Sequence, residues 1–564
     1  MMALAVLAVS CSKNEMTWEQ NPYRKVIEYT PDTFTMEAPG NVTADATYDW
    51  ITMSQSGNSV SFTVRRNTTG LIRRAEYTIT GQTQKMIIFQ KAHSLDATLS
   101  ASVFDQSLGA ATIAVDFWTG YSDDYVSWGL IYGKTPDMAS GKDAPQGAIT
   151  NLGKLLADIE DLEEDTDYYI WAYAVSTEGD KVFSNMIAMI PPVYVQPGED
   201  LQAAIDNAKE YSEIRLPGGV TFSGGINIFD NNKNKTITGG WNEDYSAQST
   251  DNLTVIDGGD STCGIFCAAD DSDLPLNGYV ELSYLDISGC KGDHGSAVHI
   301  CGGPLTLHHS YIHDNHFLSK GAVGTREEDY SSDMTIYNCI FEDNFCDDGH
   351  GACLGIGDGV SEDDPVHATV VNNLFINNRS DTFGGYASIF ICYSGSELIF
   401  VNNTVVGNFN YYDGDYPYEG MKFRGNTRDL LANNIIVGNI ISEDDLMPAV
   451  EQPHPNYIGL GGAHAVLAGN IIEGEITEAD NMTESGNQYI AVGKDSWKSV
   501  LDSDYKPVGI ALGAGTLDSF TIQFENGWAT NVSVQDILDK YPTDLAGNSR
   551  VVNGKVDAGC YQAQ

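Results

Sequence analysis

Basic residues are scarce in this sequence: Lys and Arg number 30 against 78 Asp and Glu, a formal net charge of −48 at pH 7. That charge repels nucleic acid and anionic lipid, so no nucleic-acid partner is expected. It also disfavours a bare polyanionic glycan unless a local basic patch or bound cations offset it. Transmembrane stretches are missing too, because the apolar run at the N-terminus is too short to cross a bilayer. Zinc-type cysteine pairs are absent as well. The ten cysteines are Cys11, Cys263, Cys267, Cys290, Cys301, Cys339, Cys346, Cys353, Cys392 and Cys560. Eight of them fall between 263 and 392, where buried thiols lining a stack of short coils are expected. A few disulfides stay open as an alternative in an oxidising compartment.

The 564 residues exceed what one core supports, roughly 250–300, so several domains are expected. Residues 1–11 form an apolar run ending in small residues, read as a secretion signal. Leu7-Ala8-Val9-Ser10-Cys11 resembles a bacterial lipobox, which implies acylation of Cys11 and a lipid-anchored, surface-exposed protein of the outer membrane. Residues 12–26 are read as a tether. Within it, Lys13, Asn14 and Glu15 resemble the surface-export tag of Bacteroidetes lipoproteins, with a plain solvated tether as the alternative.

Short alternating apolar runs between Phe34 and Phe89, such as Val60-Ser61-Phe62-Thr63-Val64, predict a small β-sandwich over 27–92. Trp50-Ile51, Arg73 to Ile79 and Ile88-Phe89-Gln90 resemble a BACON domain. Over 94–191, Trp128-Gly129-Leu130-Ile131-Tyr132 and the spacing Leu162, Thr166, Tyr168 resemble a fibronectin type III domain, whose corner tyrosine bonds back to the chain. Pro191-Pro192 marks a stiff boundary. Beyond it, apolar residues at 201, 204, 205 and 208 predict a short amphipathic helix. With Glu213 to Gly219 it resembles the capped entry of secreted parallel β-helices.

An internal repeat governs 192–564. Asn315, Asn344, Asn378, Asn408 and Asn439 follow one another at steps of 29, 34, 30 and 31 residues, each ending a short β-type run. A second column reads Asn338, Asn372, Asn402 and Asn433, and weaker copies occur at Tyr284–Gly289 and Asn470–Glu475. Few strong helix formers occur in these units, so a helical solenoid is the losing reading. The predicted fold class is all-β: two small β-sandwich modules, then a right-handed parallel β-helix in which stacked asparagine amides bond from coil to coil. The stretch Thr543 to Tyr561 resembles the ending of β-helix surface proteins described as choice-of-anchor Q, and is expected as a closing segment.

Equal offsets after the asparagine column place residues on one edge of a solenoid. His294, Lys320, Asp347, Asp348, His350, Asp381, Asp413, Asp415 and Glu419 gather there. Two cleavage chemistries fit. In a lyase, Lys320 or His350 is the base beside a uronate carboxyl, with Asp347, Asp348 and Asp381 holding Ca²⁺. In a hydrolase, paired carboxylates act as acid and base. Asp347-Asp348 and Gly349-His350-Gly351 also resemble motifs of polygalacturonases, although that family spreads them over successive coils. A polar turn with glycine for tight geometry is the bland reading. Tyr411, Tyr412, Tyr416 and Tyr418, with His294, are candidate sugar contacts. His308, His309, His313, His316 and His367 are read as ladder residues without metal spacing. The functional expectation is a monomeric cell-surface glycan-handling protein that cleaves polysaccharide. The alternatives are a non-catalytic glycan binder or adhesin and a structural spacer.

Overall fold

The structure is a computed structural model that describes residues 22–563, except 68–72, 92–97, 108–109, 120–124, 150–152, 164–165, 178, 271–274, 295, 320, 325–331, 348–350, 357–365, 381–388, 393–395, 412–419, 424–426, 443–457, 461–462, 475, 478–480, 494 and 524–528. The chain divides into two compact units, Met1–Met189 and Ile190–Gln564.

The first unit holds two β-sandwiches with separate cores. In the first, alternation puts Val60, Phe62 and Val64 inward from strand Ser59–Val64. They meet Ala75, Tyr77 and Ile79 of the facing sheet. Strand Arg24–Ile27 pairs in parallel with Met86–Gln90, so the fold begins inside the stretch read as tether. In the second, Ile113, Phe117, Leu130 and Ile170 fill the core. The Tyr168 hydroxyl accepts the Glu163 backbone N–H at 3.0 Å, the expected corner.

The second unit is a parallel β-helix. Three parallel sheets of eleven, ten and nine strands run along it, and a shorter sheet of six strands forms a fourth wall. One inward column of the eleven-stranded sheet reads Ile336, Val370, Phe400, Leu431 and Leu467 in register. Each such side chain removed from water contributes about 1.5–3 kcal/mol. Helix Leu201–Asn207, capped by Asp200 at the Ala203 N–H, buries Leu201 and Ile205 against the first coil. Each of the nine described cysteines is a thiol, and all but Cys263 are buried.

Asparagine ladders mark two corners. At the corner before the six-stranded sheet, Asn315, Asn344, Asn378 and Asn408 each pass an Nδ2–H to the Oδ1 one coil on, at 2.9–3.0 Å. The corner between the eleven- and ten-stranded sheets departs from expectation. There the inward ladder is Asn373, Asn403, Asn434 and Asn470, one residue later than the second column read from the repeat. Asn372, Asn402 and Asn433 instead occupy left-handed backbone at φ 57° to 58°, which asparagine tolerates. Their side chains serve the C-terminal segment: Asn372 donates to Thr543 O, Asn402 to Asp557 O and Asn433 to Thr516 O.

That segment lies along the outer faces of the two longest sheets. Ile522, Val534, Ile537 and Leu538 cover outward Val371, Val401, Leu430 and Val466. Val500, Leu501, Ala511 and Cys560 cover Leu374, Val406, Ile435 and Ile471. The fully buried Arg550 donates to the carbonyls of Asp557 and Gly559, fastening the final turn.

Candidate functional site

The six-stranded sheet begins directly after the Asn315 ladder. Its outward column is Lys291, His316, Phe345, Arg379 and Phe409, paired coil by coil. The next residue of each strand turns into the core, as Phe317 and Cys346 do. The outward rings and cations stack. His316 lies 4.8 Å from Phe345, and the Arg379 guanidinium carbon sits 5.5 Å from the Phe345 ring and 5.2 Å from that of Phe409. Such cation–π contacts contribute about 0.5–2 kcal/mol each. His316 Nε2 meets Asp347 Oδ2 of the next coil at 2.9 Å.

The adjoining nine-stranded sheet sends Ile265, Val298, Val323, Leu354, Phe390 and Met421 into the core. Its outward positions therefore fall one residue on, at Phe266, His299, Gly324 and Gly355. Phe266 and His299 stack at 4.8 Å. Gly324 and Gly355 then leave two successive rungs without side chains, and both glycines, like His299, are buried. Lys422, outward two coils past Gly355, restores a cation.

The connections between these two sheets carry the residues singled out in the sequence. Asp347 is described and exposed. His294 and Tyr411 end strands Lys291–His294 and Phe409–Tyr411, but their side chains lie outside the described residues. Lys320, Asp348, His350, Asp381, Tyr412, Tyr416, Tyr418 and Cys11 lie outside them altogether. The glycines beside two of these residues are set by tight geometry. Gly321 has φ +89° and a Cβ there would fall 2.9 Å from the Gly355 backbone N; Gly351 has φ +101° and its Cβ would fall 2.8 Å from Phe390 Cα.

No group of three or more His, Cys, Asp or Glu side chains suited to a metal ion occurs among the described residues. Asp347, the one described member of the expected calcium set, faces His316 instead. The other histidines bond or stack with neighbouring coils as expected: His313 bridges Asp286 and Asp314, and His367 reaches Asp333 and Glu397.

Three features escaped the sequence reading. The paired glycines have no motif, since Gly324 and Gly355 stand out only once the strand register is known. The Arg379 stack had a signal, its position immediately after Asn378. The third is Asp429, which points inward in register with Leu398. Its Oδ2 accepts the Thr427 hydroxyl at 2.6 Å, and Cys392 Sγ lies 4.0 Å from Oδ1. Burial pushes this carboxyl up to about 8, so it is neutral at pH 7.

No family model and no curated protein sequence matches the chain. Among solved structures, pectate lyase PelI from Erwinia chrysanthemi, in complex with tetragalacturonic acid, aligns at 13% identity over 71% of this chain and 92% of that one, with a TM-score of 0.14. Pectate lyase Pel3 from Pectobacterium carotovorum aligns at 12% identity over 71% and 92%, with a TM-score of 0.15. At TM-scores this low the alignments add no argument, and the class assigned to the second unit, a parallel β-helix, rests on its strand register.

Proposed function

We propose that the solenoid takes up polysaccharide along the edge formed by the Lys291–Arg379 column and the connections that follow it, and cleaves it there. The observation that supports this reading most directly is the exposed Asp347 against His316, on the connection that carries Asp348 and His350. Lys291 and Arg379 supply local positive charge on a strongly acidic protein, the offset an anionic glycan requires.

For cleavage, His316 and Asp347 are a described imidazole–carboxylate pair beside the positions of Asp348 and His350. In this reading Asp347 holds the His316 ring, and Lys320, Asp348 or His350 moves the proton. Calcium, if used, would be held by the oxygens of Asp347, Asp348 and Asp381 and would neutralise a uronate carboxylate. A non-catalytic binder is the second reading, favoured by the part-exposed Phe345 and Arg379, which offer contact surface and no acid–base pair.

The test is a reaction screen of the purified protein on uronate-containing and neutral polysaccharides, with and without Ca²⁺. New reducing ends or unsaturated product support cleavage. Retention of polysaccharide without product supports the binder, and neither activity on any glycan rejects the assignment. The proposed setting is the outer membrane, through acylated Cys11, with the BACON-like and fibronectin-like modules as spacers.

A further inference from the structure

On the outer face of the eleven-stranded sheet, two adjacent histidines turn the same ring atom toward each other. His308 Nδ1 and His309 Nδ1 are 2.8 Å apart. Each ring is held from behind through its other nitrogen. His308 Nε2 meets Glu281 Oε1 at 3.3 Å from the preceding coil, and His309 Nε2 meets the Asn338 side-chain amide at 3.2 Å from the following one. Each ring is also held flat, His308 against Tyr337 at 4.7 Å and 12°, and His309 against Tyr284 at 5.0 Å and 5°.

A neutral imidazole carries one N–H, so the tautomer follows from what the other nitrogen faces. With Asn338 donating through Nδ2, His309 carries its hydrogen on Nδ1 and donates it to His308. Asn338 Oδ1 is buried without a hydrogen-bond partner, so turning this amide over breaks no bond at that oxygen. After the turn His309 donates from Nε2 to the amide oxygen, and His308 donates from Nε2 to Glu281. Both Nδ1 lone pairs then face each other, a state that a shared cation satisfies. Moving one hydrogen within His309 is the whole change, with no net proton released. Carboxylate or carbonyl oxygens behind ligating imidazoles are the usual support of metal sites.

We propose that His308 and His309 form a two-coordinate site for a monovalent copper ion. Cu(I) accepts two nitrogen donors, and imidazole suits copper. Metal–nitrogen distances of about 2 Å would open the pair by up to about 1 Å. Glu281 supplies the compensating charge, and the flanking tyrosine rings shield the ion. Eight of the nine described cysteines are buried, so few thiols compete from the surface.

The test is Cu(I) alone, one equivalent delivered anaerobically from a chromophoric chelate to the full chain. X-ray absorption of the wild-type complex should show two nitrogen scatterers at about 2 Å. His308→Ala and His309→Ala should each weaken Cu(I) affinity by more than about 100-fold, and Glu281→Gln by about 10-fold, because it supports a ligand without being one. A spectrum of sulfur scatterers only in the wild-type protein overturns the proposal, whatever the variants do to folding. Unchanged affinity in both histidine variants overturns it as well.

Discussion

Asn378 donates its side-chain N–H to Asn408 Oδ1 one coil on, at 2.9 Å, with both side chains out of water. The same nitrogen also donates to Phe341 O on the coil before, at 2.9 Å. One amide thus satisfies backbone and side-chain groups on three coils. Asn378→Ala or Asn408→Ala leaves buried partners unpaired and should cost about 1–3 kcal/mol in denaturant unfolding, with glycan retention unchanged in the folded protein. A variant that keeps its melting temperature and loses retention contradicts the structural role.

The C-terminal segment docks through a backbone that only glycine fits. Gly559 has φ +88°, and a Cβ there would fall 2.7 Å from Thr404 Oγ1 and 2.8 Å from Ile435 Cδ1. Thr404 Oγ1 is also the acceptor of the Cys560 N–H at 2.9 Å. Gly559→Ala should cost about 2–4 kcal/mol. Gly554→Ala, at φ +70° with nothing within 4 Å, should cost about 1 kcal/mol. Equal losses in calorimetry would mean that close packing at Thr404 and Ile435 is irrelevant.

Asp429 ties stability to pH. Burial raises its folded value to about 8, while an unfolded aspartate titrates near about 4. The folded state keeps the proton over that interval and the unfolded state loses it, so stability is fully present below about pH 4 and falls as pH rises to about 8. Asp429→Asn keeps an acceptor for Thr427 and removes the titration. Its melting temperature should exceed that of the unmodified protein at pH 8 and approach it near pH 4. Parallel pH curves for the two proteins would rule out a neutral buried carboxyl.

At the proposed site, His350→Ala and Asp348→Ala should abolish turnover with little change in substrate affinity, because those groups act mainly in the transition state. If the protein only binds, Tyr411→Ala and Tyr416→Ala should weaken affinity instead. Full activity and full binding after replacing Lys320, Asp347, Asp348, His350, Tyr411 and Tyr416 together would locate the site elsewhere.

Cys11→Ser should release the mature protein from the membrane fraction. Continued sedimentation with membranes would argue against the lipid anchor.

The solenoid was legible in the sequence because its defining interaction recurs at one position per coil. Asn315, Asn344, Asn378, Asn408 and Asn439 could be counted, and every step between them is one coil of the structure. The second column was legible only to within one residue. Asn372 and Asn373 are adjacent and both asparagine, and only the backbone shows that the first turns outward in left-handed conformation while the second enters the ladder.

The offsets read from the sequence put His294 and Tyr411 on one edge, and both fall at the ends of strands in the six-stranded sheet. Gly324 and Gly355 were not legible in this way: they read as ordinary glycines until parallel pairing sets them on successive rungs.

By itself, then, the sequence determined the all-β class, the capping helix, the coil length and the first asparagine ladder, because each depends on residues close in the chain or repeated at one spacing. The tertiary structure alone decided which outward faces are covered, how Arg379 comes to lie between Phe345 and Phe409, where the bare rungs fall, and that His308 and His309 turn their Nδ1 atoms together between Glu281 and Asn338. Those relationships join residues about 30 to more than 100 positions apart, and only the stacking of coils and the return of the C-terminal segment bring such residues within bonding distance.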